Sequence, residues 1–416
     1  MSCFPRPVQI ALFAIALLSG SGTIQGAEAT WPQWRGPTRD SLLPPQTWPE
    51  KLDAERLKQT WRVELGPSYS GPIVSDKAVF VTETKDKKLE IVRALDRDTG
   101  KEQWSASWEG AISVPFFAAA NGSWIRATPA YDGERLYVAG IKDVLVCLDA
   151  ASGKELWRVD FVKDYAAPVP AFGFVSSPLV SGEYVYVQAG ASFAKLDKRT
   201  GKEIWRTLRD SGGMNGSAFS SPVLSSLAGT TQLIVQTREK LAGIDEQAGK
   251  ELWSQEIPSF RGMNILTPTI IGNSIFTSAY GGKSLALQID LAGSVFTPTI
   301  SWENKTQGYM SSPVVIGNHA YLHLRNQRFT CIELATGKET WITKPYGQYW
   351  SMVAQGDRIL ALDERGELLL IRANPEKFEL LDSRKISEKA TWAHLAVCGD
   401  EIFIRELSAV AAYRWR

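Results

Sequence analysis

The stretch A-L-D-R-D-T-G-K-E-Q-W, from Ala94 to Trp104, decides the fold because near-copies of it return along the chain. The clear copies start at Cys147, Lys195, Gly243 and Cys331, and each ends in Trp. A fixed internal period of this kind indicates an architecture built from repeated structural units. In every copy an acidic residue and a Gly enclose a tight turn between two strands, because Gly supplies the positive φ that such a turn requires.

A second landmark, a small residue usually followed by Pro, opens a strand upstream of each copy. It occurs at Gly71-Pro72, Thr128-Pro129, Ser177-Pro178, Ser221-Pro222, Thr267-Pro268 and Ser312-Pro313, with weaker versions at Ser351-Met352 and His394-Leu395. These landmarks recur at intervals of about 40 to 57 residues, the spacing of propeller blades. The sequence therefore predicts an all-β, eight-bladed β-propeller of four-stranded blades.

The N-terminal side of the repeats supplies a strand that the last blade lacks. The segment T-W-R-V-E-L at 60–65 has the pattern of an outer strand but follows no inner strands, whereas the eighth blade stops at Tyr413 before any outer strand. We expect the early strand to complete the eighth blade, because closure of the ring protects sheet edges. Residues 60–416 would then form a single propeller domain.

The first 29 residues have the features of a secretory signal peptide. Arg6 precedes an apolar run from Val8 to Leu18, and an A-x-A site ends at Ala29. No later run approaches the roughly 18 apolar residues of a membrane span. Cys3 does not stand at the end of the apolar run, where a lipidated cysteine would lie. We expect cleavage after Ala29 and a periplasmic or secreted protein, with no membrane span and no lipid anchor.

Residues 30–59 form a Pro- and Trp-rich arm that begins W-P-Q-W-R-G-P and contains Pro44 and Pro45. Its proline density indicates extended chain over the propeller surface, with Trp31, Trp34 and Trp48 as anchors. A charged helical pattern runs from Glu50 to Lys58. An arm that binds a partner is the alternative. Packing of the arm on the propeller is favoured, because a Trp side chain is usually packed against other parts of the protein rather than left in solvent.

Charge and cysteine usage exclude some classes of function. The 46 Lys and Arg nearly cancel the 45 Asp and Glu, so net charge gives no indication of nucleic acid or of an acidic membrane surface. Cys147 and Cys331 share a motif position in the second and sixth blades, on opposite sides of the ring, too far apart for a disulfide, which needs Cα atoms within about 7 Å. Together with Cys398 they are predicted to be free thiols.

The sequence offers no metal site and no catalytic residue that we can assign. His319 and His323 lie four residues apart on one strand, roughly 13 Å between Cα atoms, too far to share a metal. His394 begins an inner strand, and both a structural and a binding role stay open for it. No nucleophile elbow, P-loop or zinc spacing occurs.

The repeat resembles the tryptophan-docking pattern A-x-D-x-x-T-G-x-x-x-W of PQQ-like repeat propellers, over essentially the whole chain after about residue 60. In that family the indole docks between the small first residue and the Gly of the neighbouring blade. Lys195 departs from the small residue of the pattern, and we expect a weakened junction there. The family includes eight-bladed quinoprotein dehydrogenases, which hold pyrroloquinoline quinone (PQQ) and Ca²⁺ in the mouth of the ring, and non-catalytic outer-membrane assembly proteins of the BamB type.

The channel mouth is the predicted ligand site, because the loops before the inner strands are rich in Gly, aromatic and amide residues. The candidate residues are Tyr69, Trp124, Arg126, Asn215, Arg261, Asn264, Tyr309, Tyr349, Trp350, Trp392 and His394. Aromatic faces with a few orienting polar groups suit a concave ligand site. The competing interpretation is that these residues plug the channel and pack blade on blade, which the closure of eight blades also demands.

Two functions follow from the resemblance. The preferred hypothesis is a non-catalytic, monomeric scaffold that binds an envelope protein or glycan through its loop face and needs no cofactor. The alternative is a PQQ-dependent oxidoreductase of alcohols or sugars, in which Trp350 or Trp392 stacks on the quinone and Arg126 or Arg261 pairs with its carboxylates. Quinoprotein alcohol dehydrogenases carry two adjacent cysteines beside the cofactor, and this chain has none.

Overall fold

The structure, a computed structural model, describes residues 29–44, 48–214, 216 and 218–415. All of the predicted signal peptide except Ala29 lies outside the described residues. Pro45 of the arm and the predicted site residue Asn215 also lie outside them.

Eight sheets follow one another along the described chain and confirm the predicted eight-bladed propeller. Two strands precede the blades, β1 (Leu42–Leu43) and β2 (Leu57–Glu64). Blade 1 comprises β3 (Ile73–Val74), β4 (Ala78–Lys85), β5 (Leu89–Asp96) and β6 (Glu102–Glu109); blade 2, β7 (Ala130–Tyr131), β8 (Arg135–Gly140), β9 (Val144–Asp149) and β10 (Glu155–Asp160); blade 3, β11 (Leu179–Ser181), β12 (Tyr184–Ala189), β13 (Ser192–Asp197) and β14 (Glu203–Thr207); and blade 4, β15 (Val223–Leu227), β16 (Thr230–Gln236), β17 (Lys240–Asp245) and β18 (Glu251–Glu256).

The second half of the ring repeats this order. Blade 5 comprises β19 (Thr269–Ile271), β20 (Ser274–Ser278), β21 (Ser284–Ala292) and β22 (Val295–Asn304); blade 6, β23 (Val314–Ile316), β24 (His319–His323), β25 (Phe329–Glu333) and β26 (Glu339–Ile342); blade 7, β27 (Trp350–Gln355), β28 (Arg358–Asp363), β29 (Glu367–Arg372) and β30 (Glu379–Lys385); and blade 8, β31 (Ala396–Cys398), β32 (Glu401–Glu406) and β33 (Ala409–Trp415). The described helical segments are short: α1 (Phe161–Asp164) and 3₁₀ turns at Phe116–Asn121 and Phe260–Gly262.

The eighth blade is closed by the early strand, as the sequence predicts. Strand β2 pairs antiparallel with β33, and Trp61 lies opposite Ala412. The strand begins at Leu57, and the helix expected from Glu50 to Lys58 is absent, so that expectation is wrong. Asp53 instead caps a single turn, accepting a hydrogen bond from the backbone N–H of Arg56 at 2.9 Å, and Leu57 is fully buried.

Tryptophans of the outer strands join six of the blades to the next. The indole N–H of Trp104 donates to the Ala150 carbonyl at 3.0 Å, and a Cβ added to Gly153 would lie 2.4 Å from the same ring. Equivalent indole bonds run from Trp61 to Arg97, Trp157 to Lys198, Trp205 to Glu246, Trp302 to Leu334 and Trp341 to Asn374. Gly100, Gly153, Gly201, Gly249 and Gly337 are needed at five of these turns because any side chain would occupy the volume of the indole, whereas the turn at Asn374 has no Gly.

Lys195 takes the place of the small residue at its junction, where the Trp205 indole bond to Glu246 is 3.3 Å long, and the weakening expected there stays a prediction. The Lys195 ammonium group pairs with the Glu246 carboxylate of the next blade at 2.8 Å and lies 3.7 Å from the centroid of the Tyr184 ring. A real exception occurs at Trp253, whose indole bonds to Gln232 of its own blade at 2.7 Å. In the fifth blade the long β21–β22 hairpin replaces the turn on which that indole would dock.

The small hydroxyl residues of the second landmark form hydrogen bonds between neighbouring inner strands. The backbone N–H of Gly71 donates to Thr128 Oγ1, and that of Thr128 donates to Ser177 Oγ, both at 3.0 Å. The series continues from Ser177 to Ser221 at 2.9 Å and from Thr267 to Ser312 at 3.0 Å. The side-chain hydroxyl of the next blade thereby satisfies the buried N–H of the residue that precedes the inner strand.

Residues 29–44 of the N-terminal arm run through the central channel rather than over the outer surface, which corrects the sequence expectation for this part. Residues 48–56 pack against blades 7 and 8, where Trp48 contacts Trp415 and the Leu52 N–H donates to Asp382. Trp31, Arg35 and Arg39 are at most 3% exposed. Trp31 exchanges backbone hydrogen bonds with Val74 of blade 1, and β1 adds as a parallel fifth strand beside β27 of blade 7. We call residues 29–44 the channel arm.

Two buried arginines fix the channel arm to carbonyl groups of the blades. Arg35 donates to the Pro313 carbonyl of blade 6, and Arg39 donates to the Pro178 carbonyl of blade 3 at 2.8 Å. On the arm itself, Trp34 donates to Thr267 Oγ1 of blade 5 at 3.0 Å. The arm is thus bonded to inner strands all around the ring.

Candidate functional site

Two kinds of connection share one end of the propeller, because strands alternate in direction within a blade. The loops that lead from the outer strand of one blade to the inner strand of the next lie beside the hairpins between second and third strands. Backbone bonds join the two kinds directly, from Arg325 to Gln307 at 2.8 Å and from Thr84 to Pro67 at 2.9 Å. We call this end the loop face.

An arc of touching aromatic rings crosses the loop face. The ring of Tyr69 stacks on Trp392, with centroids 4.7 Å apart and planes at 16°. The successive contacts run from Trp124 to Tyr69 at 5.3 Å, Trp392 to Tyr349 at 4.4 Å, Tyr349 to Tyr309 at 5.6 Å and Tyr309 to Tyr280 at 4.5 Å. These six residues are the aromatic arc, and they come from loops and hairpins of several blades.

Guanidinium groups lie over rings of this face. Arg126 lies 5.5 Å from the Tyr69 ring centroid, and Arg325 lies 4.5 Å from that of Tyr280. Arg261 covers Phe260 in the same way at 5.1 Å. Burial raises the pKa of Tyr69 to about 12, so its hydroxyl stays protonated as a donor at neutral pH. The arc therefore offers apolar faces, hydroxyl groups and cations together.

Beneath the arc, the channel arm forms the floor of the mouth. A cavity of about 50 Å³ is lined by Trp34, Met310, Tyr349, Trp392 and His394, among others. His394 Nδ1 lies 2.8 Å from the Leu395 carbonyl and Nε2 lies 3.2 Å from Ser41 Oγ, so both ring nitrogens are engaged. Burial lowers the pKa of His394 to about 3 and keeps the imidazole neutral. The arm thus fills the channel, and the loop residues lie above it.

Two of the predicted site residues lie away from the mouth surface. Trp350 is buried between blades 6 and 7, stacked on His323 at 4.9 Å and bonded to Asp363 at 3.1 Å. Asn264 is fully buried and donates to the carbonyl groups of Arg238 and Ile257 at 3.0 and 2.9 Å. Both side chains hold the scaffold through donor groups, the Trp350 indole N–H and the Asn264 amide N–H, whose partners a position count in the sequence does not reveal.

Sequence reasoning missed the contribution of the hairpins. Tyr280 lies between β20 and β21, and Arg325 lies between β24 and β25. The alternation of strand direction would have placed both on the loop face, had the hairpins been counted with the loops. Phe116 and Phe117, on the 3₁₀ turn before β7, were also missed; they are 91% and 54% exposed.

The described residues do not fit a PQQ–Ca²⁺ site. They contain no group of three or more His, Cys, Asp or Glu that could hold a metal, whereas Ca²⁺ takes six to eight oxygen ligands. The Asp363 carboxylate beside the mouth already accepts hydrogen bonds from Gly347 and Arg365. Trp350 has no free face for a quinone, because it packs against His323 and Phe329.

Comparison with known proteins agrees with the repeat and the topology. The profile of the PQQ_2 family, described as outer membrane protein assembly factor BamB, matches residues 88–343. The chain belongs to this family. The BamB of Moranella endobia (strain PCIT) is 22% identical over 411 residues, covering 95% of this chain and 97% of that protein. The serine/threonine-protein kinase AfsK of Streptomyces griseus is 30% identical over 147 residues, 34% of this chain but only 16% of the kinase.

Solved structures share the fold of this BamB-family chain. BamB from Moraxella catarrhalis superposes with a TM-score of 0.62 at 14% identity, over 86% of this chain and 98% of that one. A europium-containing methanol dehydrogenase superposes with a TM-score of 0.53 at 11% identity, over 93% of this chain and 98% of that one. At such identities the likeness concerns architecture alone. No helix in the described part of the chain is long and apolar enough to cross a membrane.

Proposed function

We propose that this protein is an exported, non-catalytic scaffold of the cell envelope that binds its partner through the loop face. In this proposal the signal peptide is removed after Ala29, residues 30–59 form the arm, and residues 60–416 act as one monomeric propeller domain in the periplasm or outside the cell. The partner is an envelope protein, in keeping with the family description as an assembly factor. A glycan is the alternative partner.

The aromatic arc is the observation that carries the proposal. Tyr and Trp provide large rigid contact areas with polar tips, and together with Arg they dominate the binding energy of protein interfaces. Tyr69 and Trp392 are partly exposed and already held by mutual stacking. Side chains held in this way lose little conformational entropy when a partner covers them.

The groups beside the arc support binding rather than chemistry. His394, the candidate base closest to the floor, is neutral and bonded at both nitrogens. Arg126 is bonded to the Gly122 carbonyl at 2.7 Å and covers Tyr69. Arginine is a hydrogen-bond donor that stays protonated, so it orients a ligand and does not transfer protons.

Site-specific photo-crosslinking in the intact envelope tests the proposal. A photoreactive residue at Trp392 or Tyr309 should capture the same partner, and the double variant Trp392→Ala with Tyr309→Ala should lose co-purification of that partner. Val295 on outer strand β22 is 63% exposed and serves as the control position for both measurements. Equal capture at Val295, or a partner that stays bound to the double variant, would contradict the proposal.

A binding experiment with free PQQ distinguishes the proposed scaffold function from the oxidoreductase function. Calorimetry with PQQ, with and without Ca²⁺, should show no saturable heat. Saturable binding followed by dye-linked oxidation of an alcohol or a sugar would overturn the non-catalytic assignment.

A further inference from the structure

Charge is divided between the two ends of the propeller, although the whole chain is nearly neutral. Every copy of the repeat places its acidic residue, such as Asp96, at the end opposite the loop face, and each turn follows with Lys and Glu. The loops of the loop face contain many cations instead. Those that are exposed and form no ion pair with another described residue include Lys87, Lys142, Lys163, Arg209, Lys305 and Lys344.

Carboxylates in the same loops do not cancel these cations. The exposed ones are Asp86, Asp164, Asp210, Glu239 and Glu388 in the loops and Glu64, Glu109, Glu256 and Glu303 at the ends of the outer strands. They are outnumbered, because further exposed cations lie at the same end: Lys85, Lys88, Lys283, Arg365, Lys385 and Lys389. Arg261 and Arg325 add two further exposed cations next to aromatic rings. The loop face therefore carries an excess of positive charge spread around its circumference.

Protruding apolar side chains accompany the cations. Phe116 is 91% exposed and Phe117 54%, while Phe260, on the other 3₁₀ turn, is 50% exposed. Phe116 and Phe117 contact each other, and Phe117 contacts Phe172. These rings stand at loop tips and not in a recess, since the cavity at the centre of the mouth holds only about 50 Å³.

We infer that the loop face also docks onto an anionic lipid surface, with Phe116, Phe117 and Phe260 inserted between headgroups and the surrounding Lys and Arg contacting lipid phosphates. A bilayer surface accepts protruding apolar tips, whereas a protein partner concentrates binding energy where side chains enter pockets. A wide ring of cations suits an extended anionic plane, and Tyr and Trp are enriched at membrane interfaces. The inference rests on the loop face being the binding face of the proposed function.

Vesicle flotation of the mature protein tests this inference. Vesicles of phosphatidylcholine alone should leave the protein unbound, whereas vesicles with about one quarter phosphatidylglycerol should bind it, and salt should weaken the binding because it screens the charges. The double variant Phe116→Ser with Phe117→Ser should lose most of this binding. Its control, Leu156→Ser with Ile204→Ser, changes side chains that are 42% and 50% exposed near the ends of outer strands opposite the loop face and should bind normally.

Charge reversal gives a second, independent test of the inference. The substitutions Lys142→Glu and Lys305→Glu should each weaken binding to anionic vesicles by about fivefold or more. Lys101→Glu and Lys202→Glu, exposed at the opposite end, are the controls and should have no such effect. Equal binding to neutral and anionic vesicles, or equal losses in loop-face and control variants, would overturn the inference.

The two proposals fail separately. If anionic vesicles do not bind but Trp392 still crosslinks to an envelope protein, the lipid inference is wrong and the scaffold function stands. Competition by an acidic polysaccharide, without any vesicle binding, would assign the cations to a glycan instead and would likewise refute the lipid inference.

Discussion

The indole of Trp61 lies against Gly100, so the strand that completes the last blade is locked onto the first blade. A Cβ added to Gly100 would lie 2.8 Å from the ring, and the indole N–H donates to the Arg97 carbonyl at 2.8 Å. This contact is the tryptophan junction at the point where the ring closes.

Gly100→Ala should destabilise the protein by about 2 to 4 kcal/mol, because a methyl group would both strain the positive φ and displace the indole. Gly272→Ala is the matched control: its φ is +59° against +71° for Gly100, but nothing lies within 4 Å of an added Cβ. It should cost only about 1 kcal/mol. Urea unfolding of both variants measures the difference, and equal losses would show that the Trp61 contact does not stabilise the ring.

Trp157→Ala should cost about 3 kcal/mol, the lower end for truncating a packed Trp, since this indole is partly exposed. Leu156→Ala, at the adjacent position and 42% exposed, should cost less than about 1 kcal/mol. Chemical denaturation gives both values. Full stability of the Trp157 variant would contradict docking between blades.

The channel arm should contribute measurably to stability. Arg35→Ala removes a guanidinium that bonds to the Pro313 and Asp40 carbonyls and to Ser41 Oγ, and it leaves buried acceptors without donors. We expect a loss of about 3 kcal/mol. Arg209→Ala, which changes an exposed arginine, is the control and should stay within about 0.5 kcal/mol of wild type. The expectation fails if both variants unfold at the same denaturant concentration.

Stability should fall as the pH rises from about 4 to about 7 because of Asp143. Burial raises the pKa of this carboxyl from 3.8 to about 7, while one of its oxygens accepts the Gly190 N–H. The folded state holds the proton more tightly than the unfolded state, so the stabilisation is complete below about pH 4 and is lost as pH rises through about 7. The loss amounts to roughly 4 kcal/mol.

Asp143→Asn should flatten that decline, since an amide keeps the acceptor and carries no charge. Asp164→Asn, at an exposed position, should leave the slope unchanged. Unfolding free energies measured from about pH 4 to pH 8 test this assignment, and parallel curves for wild type and Asp143→Asn between about pH 4 and pH 7 would refute it.

The cysteines should behave as three buried thiols in the mature protein. Cys147, Cys331 and Cys398 are free and buried, and burial raises the pKa of Cys147 and of Cys398 to about 12. Native protein should therefore react slowly with a thiol reagent. Denatured protein should yield three thiols both before and after reduction; fewer before reduction would reveal a disulfide, and a fourth would show that Cys3 is retained.

The sequence predicts well the contacts between blades, because they are repeated from motif to motif. It predicts less well a feature that occurs only once in the chain, such as the arm in the channel. Trp104 and Gly153 occupy fixed positions in the motif, so their contact follows from the period. The Pro- and Trp-rich composition indicates that the arm is extended and docked, but the channel that receives Trp31 and Arg35 exists only after all the blades have closed.

The candidate site illustrates the same difference. Loop positions place Tyr69 and Trp392 on one face, and the structure brings them into contact. Whether a Trp such as Trp350 points outward or between blades depends on partners distant in sequence, here His323 and Asp363. Net charge likewise averages over both ends of the propeller, so the basic loop face does not show in the composition.

The pairing of β2 with β33 also sets an order of events for a chain that crosses a membrane N-terminus first. The hydroxyl of Thr60 bonds to the Ala412 carbonyl, 352 residues later in the sequence. Strand β2 emerges long before its partner β33 and must wait for it unpaired, and the channel around the arm is complete only then. Contacts of such long sequence separation slow folding and leave strand edges open to aggregation meanwhile. A nascent chain of this kind depends on protection of its N-terminal segment until its C-terminus arrives.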